Sequence, residues 1–140
     1  MKVFLDTDAF VALHNKDDDH HLEAKTLFQE FAEARSKSTK LYSSDYVLDE
    51  SITTCYSRTH NRKTAIELGH AVLASKSIVI LSVDKSIFEE AWQIFGEKFH
   101  DTALSFTDCT TYALIRAHSI QSVFSFDRDF DKLGVNRIPA

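Results

Sequence analysis

The chain has few of the residues that interrupt regular structure, with only 3 glycines and 1 proline among 140 residues. Turn-rich sandwiches and barrels depend on these residues, so their scarcity favours helices joined by short connections. No internal repeat or low-complexity tract is visible. A hydrophobic content of 44% suits one ordinary core, and we expect residues 1–140 to form a single domain.

Long apolar runs and cysteine frameworks are also missing. No stretch approaches the roughly 18 apolar residues of a membrane span, and the apolar run at the N-terminus is too short for a secretory leader. The two cysteines, Cys55 and Cys109, lack the spacing of a metal site, which predicts reduced thiols in the core. We therefore expect a cytoplasmic protein without a membrane segment.

The chain has no excess of positive charge. Its formal net charge is -5, which counts against binding nucleic acid because phosphate contacts call for a basic surface. One acid-free stretch, residues 51–66, is the candidate phosphate-facing patch, with Arg58, Arg62 and Lys63 as its candidate nucleic-acid-binding residues. The alternative is that these side chains belong to a solvated helix end.

The hydrophobic pattern alternates between strands and helices. Continuous apolar runs at residues 3–5, 78–81 and 123–126, with a weaker one at 40–43, predict strands buried on both faces of a parallel sheet. Apolar stripes at helical spacing run through residues 24–31 and 87–95, and further helices are expected at about 45–57, 62–74 and 107–119. The pattern predicts an α/β fold with three layers, α/β/α, around a central parallel sheet of four to five strands.

Acidic residues recur where hydrophobic segments end or helices begin: Asp6, Glu50, Asp108 and Asp127. Ligands of such folds bind beyond the carboxyl ends of the strands. Each acid also has a purely structural explanation, since Asp108 can complete a helix cap with Ser105 and the others can start turns. Two carboxylates about 4 Å apart repel by roughly 4 kcal/mol at an effective dielectric near 20, so a cluster needs cations or raised pKa values. Together the four acids predict a divalent-metal site.

Four motifs carry a resemblance to a known family. They are FLDT at residues 4–7, DYVLDE at 45–50, LSFTDC at 104–109 and FDRDF at 126–130, accompanied by HLEA at 21–24. In this order they resemble the successive motifs of PIN-domain nucleases, and within that family the VapC-like toxins of toxin–antitoxin pairs. The resemblance covers residues 3–135, nearly the whole chain.

The resemblance implies a metal-dependent endoribonuclease with a PIN-like fold. The family's metal-binding carboxylates match Asp6, Glu50, Asp108 and Asp127, with Asp129 as a fifth member. Hydroxyls that the family often places beside the metals match Thr7 and Thr107. The implied partners are an RNA substrate, an antitoxin whose tail occupies the acidic groove, and a second copy of the chain, for which the Glu50 helix and its successor are candidate surfaces.

One departure from the family pattern is Asp8, where relatives more often carry a neutral residue. This side chain either adds charge to the site or caps a helix beginning near Ala9. The cap is the favoured interpretation, because a residue two positions after Asp6 can serve that helix.

The donor set indicates the metal and the products. Mg²⁺ and Mn²⁺ prefer oxygen ligands, so acids without His or Cys fit these ions better than zinc. Such an ion can activate water as the nucleophile and stabilise the developing charge, without a histidine base. Attack by water predicts a 5'-phosphate and a 3'-hydroxyl. The same chemistry admits DNA, so the preference for RNA rests on the family resemblance.

Two other functions remain open. The first is a phosphatase of the haloacid dehalogenase type, in which Asp6 is the nucleophile and Asp8 the general acid. No convincing lysine partner accompanies this motif, and Glu50 and Asp108 would have no role. The second is a PIN-like scaffold that binds RNA or protein without cutting, although every expected acid is present.

Overall fold

The structure of the protein is a computed structural model that describes residues 1–33 and 39–140. The chain order is β1 (Lys2–Leu5), α1 (Thr7–His14), α2 (His21–Glu33), β2 (Lys40–Ser44), α3 (Asp45–Thr59), α4 (Arg62–Ala74), β3 (Ile78–Leu81), α5 (Lys85–Glu97), α6 (Phe106–Ala117), β4 (Ser122–Phe124), a 3₁₀ helix (Arg128–Leu133) and β5 (Asn136–Ile138).

The strands form one parallel sheet in the order β3-β2-β1-β4-β5. The central strand β1 supplies Val3, Phe4 and Leu5, which are completely buried, as expected for a strand with helices on both faces. The predicted α/β fold with a parallel central sheet is confirmed, at the upper end of the expected number of strands.

The sheet order creates a crevice. From the central β1 the chain adds β2 and β3 on one side, then crosses to add β4 and β5 on the other. Where the direction of winding reverses, the connections leave the carboxyl ends of neighbouring strands in opposite directions and open a ligand site. Here that point lies between β1 and β4, where Leu5 is paired with Phe124. Asp6 and Ser125 are therefore brought side by side.

Several element boundaries differ from the expected ones. The structure ends β4 at Phe124, two residues before the end of the apolar run, because the chain turns at Ser125 and Asp127. The short strand β5 has no apolar run to indicate it. The helix α1 begins at Thr7, directly after the first strand, rather than near Ala9.

The core lies around β1 and β4. Its largest fully buried side chains are those of Phe4, Phe10, Phe124 and Phe130. Both cysteines are buried and free, which confirms the expected reduced core thiols. Within residues 1–33 and 39–140, no helix has the length and apolar character needed to cross a membrane.

Candidate metal centre

Asp6 lies at the switch point of the sheet. Its backbone N–H donates to the Phe124 carbonyl at 3.0 Å, continuing the pairing of β1 with β4. The side chain is 3% exposed and does not cap α1, although Asp6 occupies the N-cap position. Its Oδ2 accepts a hydrogen bond from the Ser125 hydroxyl at 2.9 Å, while Oδ1 is buried and has no hydrogen-bond partner among the residues that the structure describes.

Glu50 reaches the same place from α3. This helix starts directly at the end of β2, where the Ser44 hydroxyl accepts the Val47 N–H, so there is no intervening loop. The Thr7 hydroxyl donates to Glu50 Oε1 at 2.6 Å and links α1 to α3. This contact explains how a half-buried carboxylate is accommodated in the middle of α3.

Asp108 combines two functions that the sequence presented as alternatives. It occupies the third position of a capping box, in which Ser105 Oγ accepts the Asp108 N–H at 3.1 Å and Asp108 Oδ2 accepts the Ser105 N–H at 2.9 Å. The same side chain is 9% exposed and lines the carboxylate cavity described below. The cap fixes the orientation of this acid at the start of α6.

Asp127 is held by the turn that follows β4. Its N–H donates to the Ser125 hydroxyl at 3.1 Å, and its Oδ1 accepts the Asp129 N–H at 2.9 Å as the cap of the 3₁₀ helix. The turn points Asp127 into the crevice between β1 and β4.

These side chains surround one cavity of about 230 Å³. We call it the carboxylate cavity; its lining residues are Asp6, Thr7, Asp8, Glu50, Thr54, Arg58, Asp108 and Asp127. The structure thus places all four acids of the expected site around a single space. They come from four different elements and from positions far apart in the chain.

The cavity disfavours ionisation of its acids. Burial raises the pKa of Asp6 well above its usual value, and the charges of Asp8 and Asp108 raise it further. Burial also raises the pKa of Asp8 to about 6, with Asp127 adding to the shift. The pKa of Asp108 rises to about 6 through burial and the nearby charges of Glu50 and Asp127. A bound cation would reverse this cost by favouring the charged forms.

The donor set fits a hard divalent ion. The lining residues offer carboxylate and hydroxyl oxygens, and no described residue forms a hydrogen bond with the buried Oδ1 atoms of Asp6 and Asp8. Throughout the described part of the chain, no group of three or more His, Cys, Asp or Glu side chains is arranged so that it could hold a metal ion by itself. Mg²⁺ keeps several waters and binds through few carboxylates together with substrate phosphates, so an open arrangement suits this class of ion.

The favoured interpretation of Asp8 as a helix cap is wrong. Because α1 starts at Thr7, Asp8 is already inside the first turn. Its Oδ2 instead accepts the Phe126 N–H at 3.0 Å, across the crevice. The side chain lines the carboxylate cavity, so it adds negative charge to the site.

Other expected site residues lie outside the lining of the cavity. Asp129 accepts the Ala103 N–H at 2.9 Å, with Lys132 Nζ 3.6 Å away. Thr107 is half-buried on α6, and Lys63 is exposed on α4. Arg62 places its guanidinium 4.5 Å from the centre of the Tyr56 ring. The expected roles of Asp129 and Thr107 beside the metal, and of Arg62 and Lys63 in RNA binding, stay predictions.

Arg58 is the member of the basic patch that does line the cavity. Its guanidinium lies 3.9 Å from the Asp18 carboxylate, in the loop between α1 and α2. The pair is long, and the Arg58 side chain is 56% exposed, so the interaction is weak. Arg58 is therefore free to turn towards a ligand at the mouth of the cavity.

Sequence reasoning missed Ser125. This side chain is completely buried and touches Asp6, Asp8 and the Asp127 backbone. The signal was a hydroxyl residue inside the apolar run 123–126, which we interpreted as a continuous strand.

The model of the PIN domain family matches residues 3–136 of the chain. The chain belongs to the PIN-domain family. This PIN domain is 30% identical over 132 residues to the protein named 23S rRNA-specific endonuclease VapC20 of Mycobacterium tuberculosis (strain CDC 1551 / Oshkosh), covering 94% of each chain.

Solved structures share the fold. The crystal structure of Mycobacterium tuberculosis VapC20, described as a sarcin-ricin loop cleaving toxin, matches with a TM-score of 0.82 and 28% identity, covering 95% of each chain. VapBC2 from Rickettsia felis, bound to a DNA fragment from its promoter, matches with a TM-score of 0.65 and 14% identity over 98% of this chain and 97% of that one. The second likeness concerns the fold alone.

Proposed function

We propose that this PIN domain is a metal-dependent endoribonuclease that hydrolyses RNA phosphodiester bonds with metal-activated water. The observation that carries the proposal is the carboxylate cavity, in which Asp6, Glu50, Asp108 and Asp127 share one partly buried space. The similarity to VapC20, which is named a 23S rRNA-specific endonuclease, supports RNA as the substrate class and a toxin as the biological type.

Asp6, Glu50, Asp108 and Asp127 are the residues that would hold the ion, and the oxygen donors favour Mg²⁺ or Mn²⁺ over zinc. When bound, the ion supplies water activation and stabilises negative charge on the phosphate. The protein residues orient the acids: Thr7 holds Glu50, Ser125 holds Asp6, and the capping box holds Asp108. Arg58 at the mouth of the cavity is suited to bind a phosphate of the RNA.

An antitoxin is the expected protein partner. A cationic side chain would enter the carboxylate cavity favourably, because an Arg fork pairs with carboxylates and replaces the charge of the metal. Fold relatives include the toxin–antitoxin complex VapBC2 and the FitAB complex. Such a partner should compete directly with Mn²⁺ for this PIN domain.

A homodimer is the expected assembly. The helix pair α3 and α4, the surface that the sequence suggested, exposes Tyr56, Ile66 and Leu73. A second apolar surface on α5 exposes Phe88, Trp92 and Phe95. Sedimentation of Ile66→Glu and Trp92→Glu variants identifies the contact surface, since a charge buried at the interface should produce monomers.

The direct test uses ribosomal RNA and defined RNA oligonucleotides. Cleavage should stop in EDTA and return with Mg²⁺ or Mn²⁺, and the products should carry 5'-phosphate and 3'-hydroxyl ends. Cleavage that persists in EDTA, or products ending in a cyclic 2',3'-phosphate, would contradict hydrolysis by metal-activated water. A protein that binds RNA without cutting under any metal would support the scaffold function instead.

A phosphatase remains the second enzymatic candidate because Asp6 and Asp8 share the cavity. Its lining residues include no lysine to hold the phosphoryl group, and Arg58 lies at the mouth. Release of phosphate from an aryl phosphate, with RNA left intact, would replace the nuclease with this function.

A further inference from the structure

Asp8 makes contacts that a helix-capping or solvated residue does not make. Its Oδ2 accepts the Phe126 N–H at 3.0 Å and lies 3.2 Å from the Ser125 hydroxyl. These contacts join the first turn of α1 to the turn after β4, more than a hundred residues later. The other oxygen, Oδ1, is buried and has no hydrogen-bond partner among residues 1–33 and 39–140.

Ser125 connects Asp8 to the rest of the carboxylate cavity. Its hydroxyl oxygen lies 2.9 Å from Asp6 Oδ2 and 3.2 Å from Asp8 Oδ2. A hydroxyl has one proton, so Ser125 donates to only one of these carboxylates at a time. The same oxygen accepts the Asp127 N–H at 3.1 Å. One side chain thus couples three acids of the cavity.

When Asp6 and Asp8 are ionised, these contacts leave part of their negative charge without compensation. The Oδ1 atoms of both Asp6 and Asp8 are buried and have no hydrogen-bond partner in the described part of the chain. A buried ionised oxygen without a partner is costly, and a carboxylate retained in that state needs a cation nearby. Both residues line the carboxylate cavity, where a divalent ion would supply that charge.

We propose that Asp8 is a positioning residue of the metal centre. Its carboxylate and the Ser125 hydroxyl hold Asp6 and Asp127 towards the cavity, and its negative charge strengthens binding of the divalent ion. This inference rests on the proposed function, because it requires that the carboxylate cavity binds metal. It gives Asp8 a role at the metal centre, in place of the helix cap that the sequence had suggested.

The test compares Mn²⁺ binding by calorimetry with unfolding of the metal-free protein. Asp8→Asn keeps an oxygen that accepts the Phe126 N–H but removes the charge. Loss of a group behind the metal ligands typically weakens metal affinity by about 10- to 100-fold, and we expect at least tenfold here. The melting temperature without metal should stay the same or rise, because repulsion of Asp6 is removed.

Two further variants separate charge from shape. Asp8→Ser removes the charge with a smaller side chain and should weaken Mn²⁺ binding as Asp8→Asn does, which preserves the test if one variant folds poorly. Asp49→Asn is the matched control, since it removes one charge from an exposed neighbour of Glu50 outside the cavity. Its Mn²⁺ affinity should equal that of the wild type.

The outcomes distinguish this inference from the proposed function. Equal Mn²⁺ affinity of wild type, Asp8→Asn and Asp8→Ser would overturn the role of Asp8 and leave the nuclease proposal intact. A wild-type protein that binds no Mn²⁺ would overturn both. An equal loss of affinity in Asp49→Asn would reduce the effect to general surface charge and would also overturn the inference.

Discussion

Thr7 and Glu50 are 43 positions apart, yet the Thr7 hydroxyl donates to Glu50 Oε1 at 2.6 Å. The bond links the residue after Asp6 to the one acid of the carboxylate cavity that lies well inside a helix. It is partly buried, so its geometry is protected from competing water. The orientation of Glu50 therefore depends on α1 as well as on its own helix.

Replacing Thr7 should test this dependence. Thr7→Val has nearly the same shape but lacks the hydroxyl, and we expect it to lower the cleavage rate about tenfold by releasing Glu50. Thr7→Ser restores the donor and should recover most of the rate. Single-turnover cleavage of one RNA oligonucleotide measures the rate of each variant against the wild type. Equal rates for Val and Ser would mean that the hydroxyl does not orient Glu50 for catalysis.

Neutralising the buried acids should separate activity from stability. Asp6→Asn and Asp108→Asn should each reduce cleavage by about a hundredfold or more, because each removes a charged metal-binding oxygen. The metal-free variants should fold and unfold at or above the wild-type temperature, since each change removes a carboxylate that burial disfavours. The Asp49→Asn control should cut normally. Wild-type rates in both variants would place the catalytic centre elsewhere.

Metal-free stability should depend on pH with a defined sign. Because the folded-state pKa of Asp108 is raised from 3.8 to about 6, its favourable contribution is complete below about pH 4 and is lost as the pH rises through 6. The pKa of Asp8 is also raised to about 6, so its contribution to stability is lost over the same pH range. Between pH 4 and 8 the wild type should lose up to about 3 kcal/mol relative to Asp108→Asn.

Urea unfolding in EDTA across this range measures the difference. Added Mn²⁺ should remove the loss above pH 6, because the metal binds the ionised carboxylates of the folded state. A difference between the two proteins that is constant with pH would show that Asp108 ionises normally in the folded protein.

Arg58 should contribute to RNA binding through phosphate. Arg58→Ala should weaken binding of an inactive Asp108→Asn protein to single-stranded RNA and lower the slope of log affinity against log salt by about 0.7. Lys76→Ala is the matched control, because Lys76 is exposed between α4 and β3 outside the carboxylate cavity. An identical change of slope in both variants would indicate general charge attraction rather than a contact at the cavity.

Much of the fold follows from local pattern. The apolar run 78–81 is β3 and the predicted helix 62–74 is α4, with the same bounds in the structure. These elements combine a strong hydrophobic period with clear caps, such as the Asn61 side chain that accepts the Thr64 N–H. The short strand β5 has little apolar content, and it forms because β4 offers an open edge for pairing.

The order of the motifs predicted which acids form the site, but it did not predict the contacts between them. Asp6 is the N-cap residue of α1 and Asp8 lies in its first turn, so the local pattern fits a cap equally well. Only the pairing of β1 with β4 brings the Phe126 N–H within reach of Asp8. The role of Ser125 could not be predicted for the same reason, since its partners Asp6 and Asp8 lie at the other end of the sequence. Such contacts depend on how strands far apart in the sequence pair with each other, and a short stretch of sequence does not contain that information.

The adjacency of β1 and β4 also bears on how this protein is made. Strand β1, which Asp6 directly follows, is synthesised first. Strand β4 and the turn with Asp127 come after residue 121 and are synthesised late. A nascent polypeptide on the ribosome therefore holds an unfinished centre until that late segment emerges. The order of translation therefore sets when the four acids can first come together.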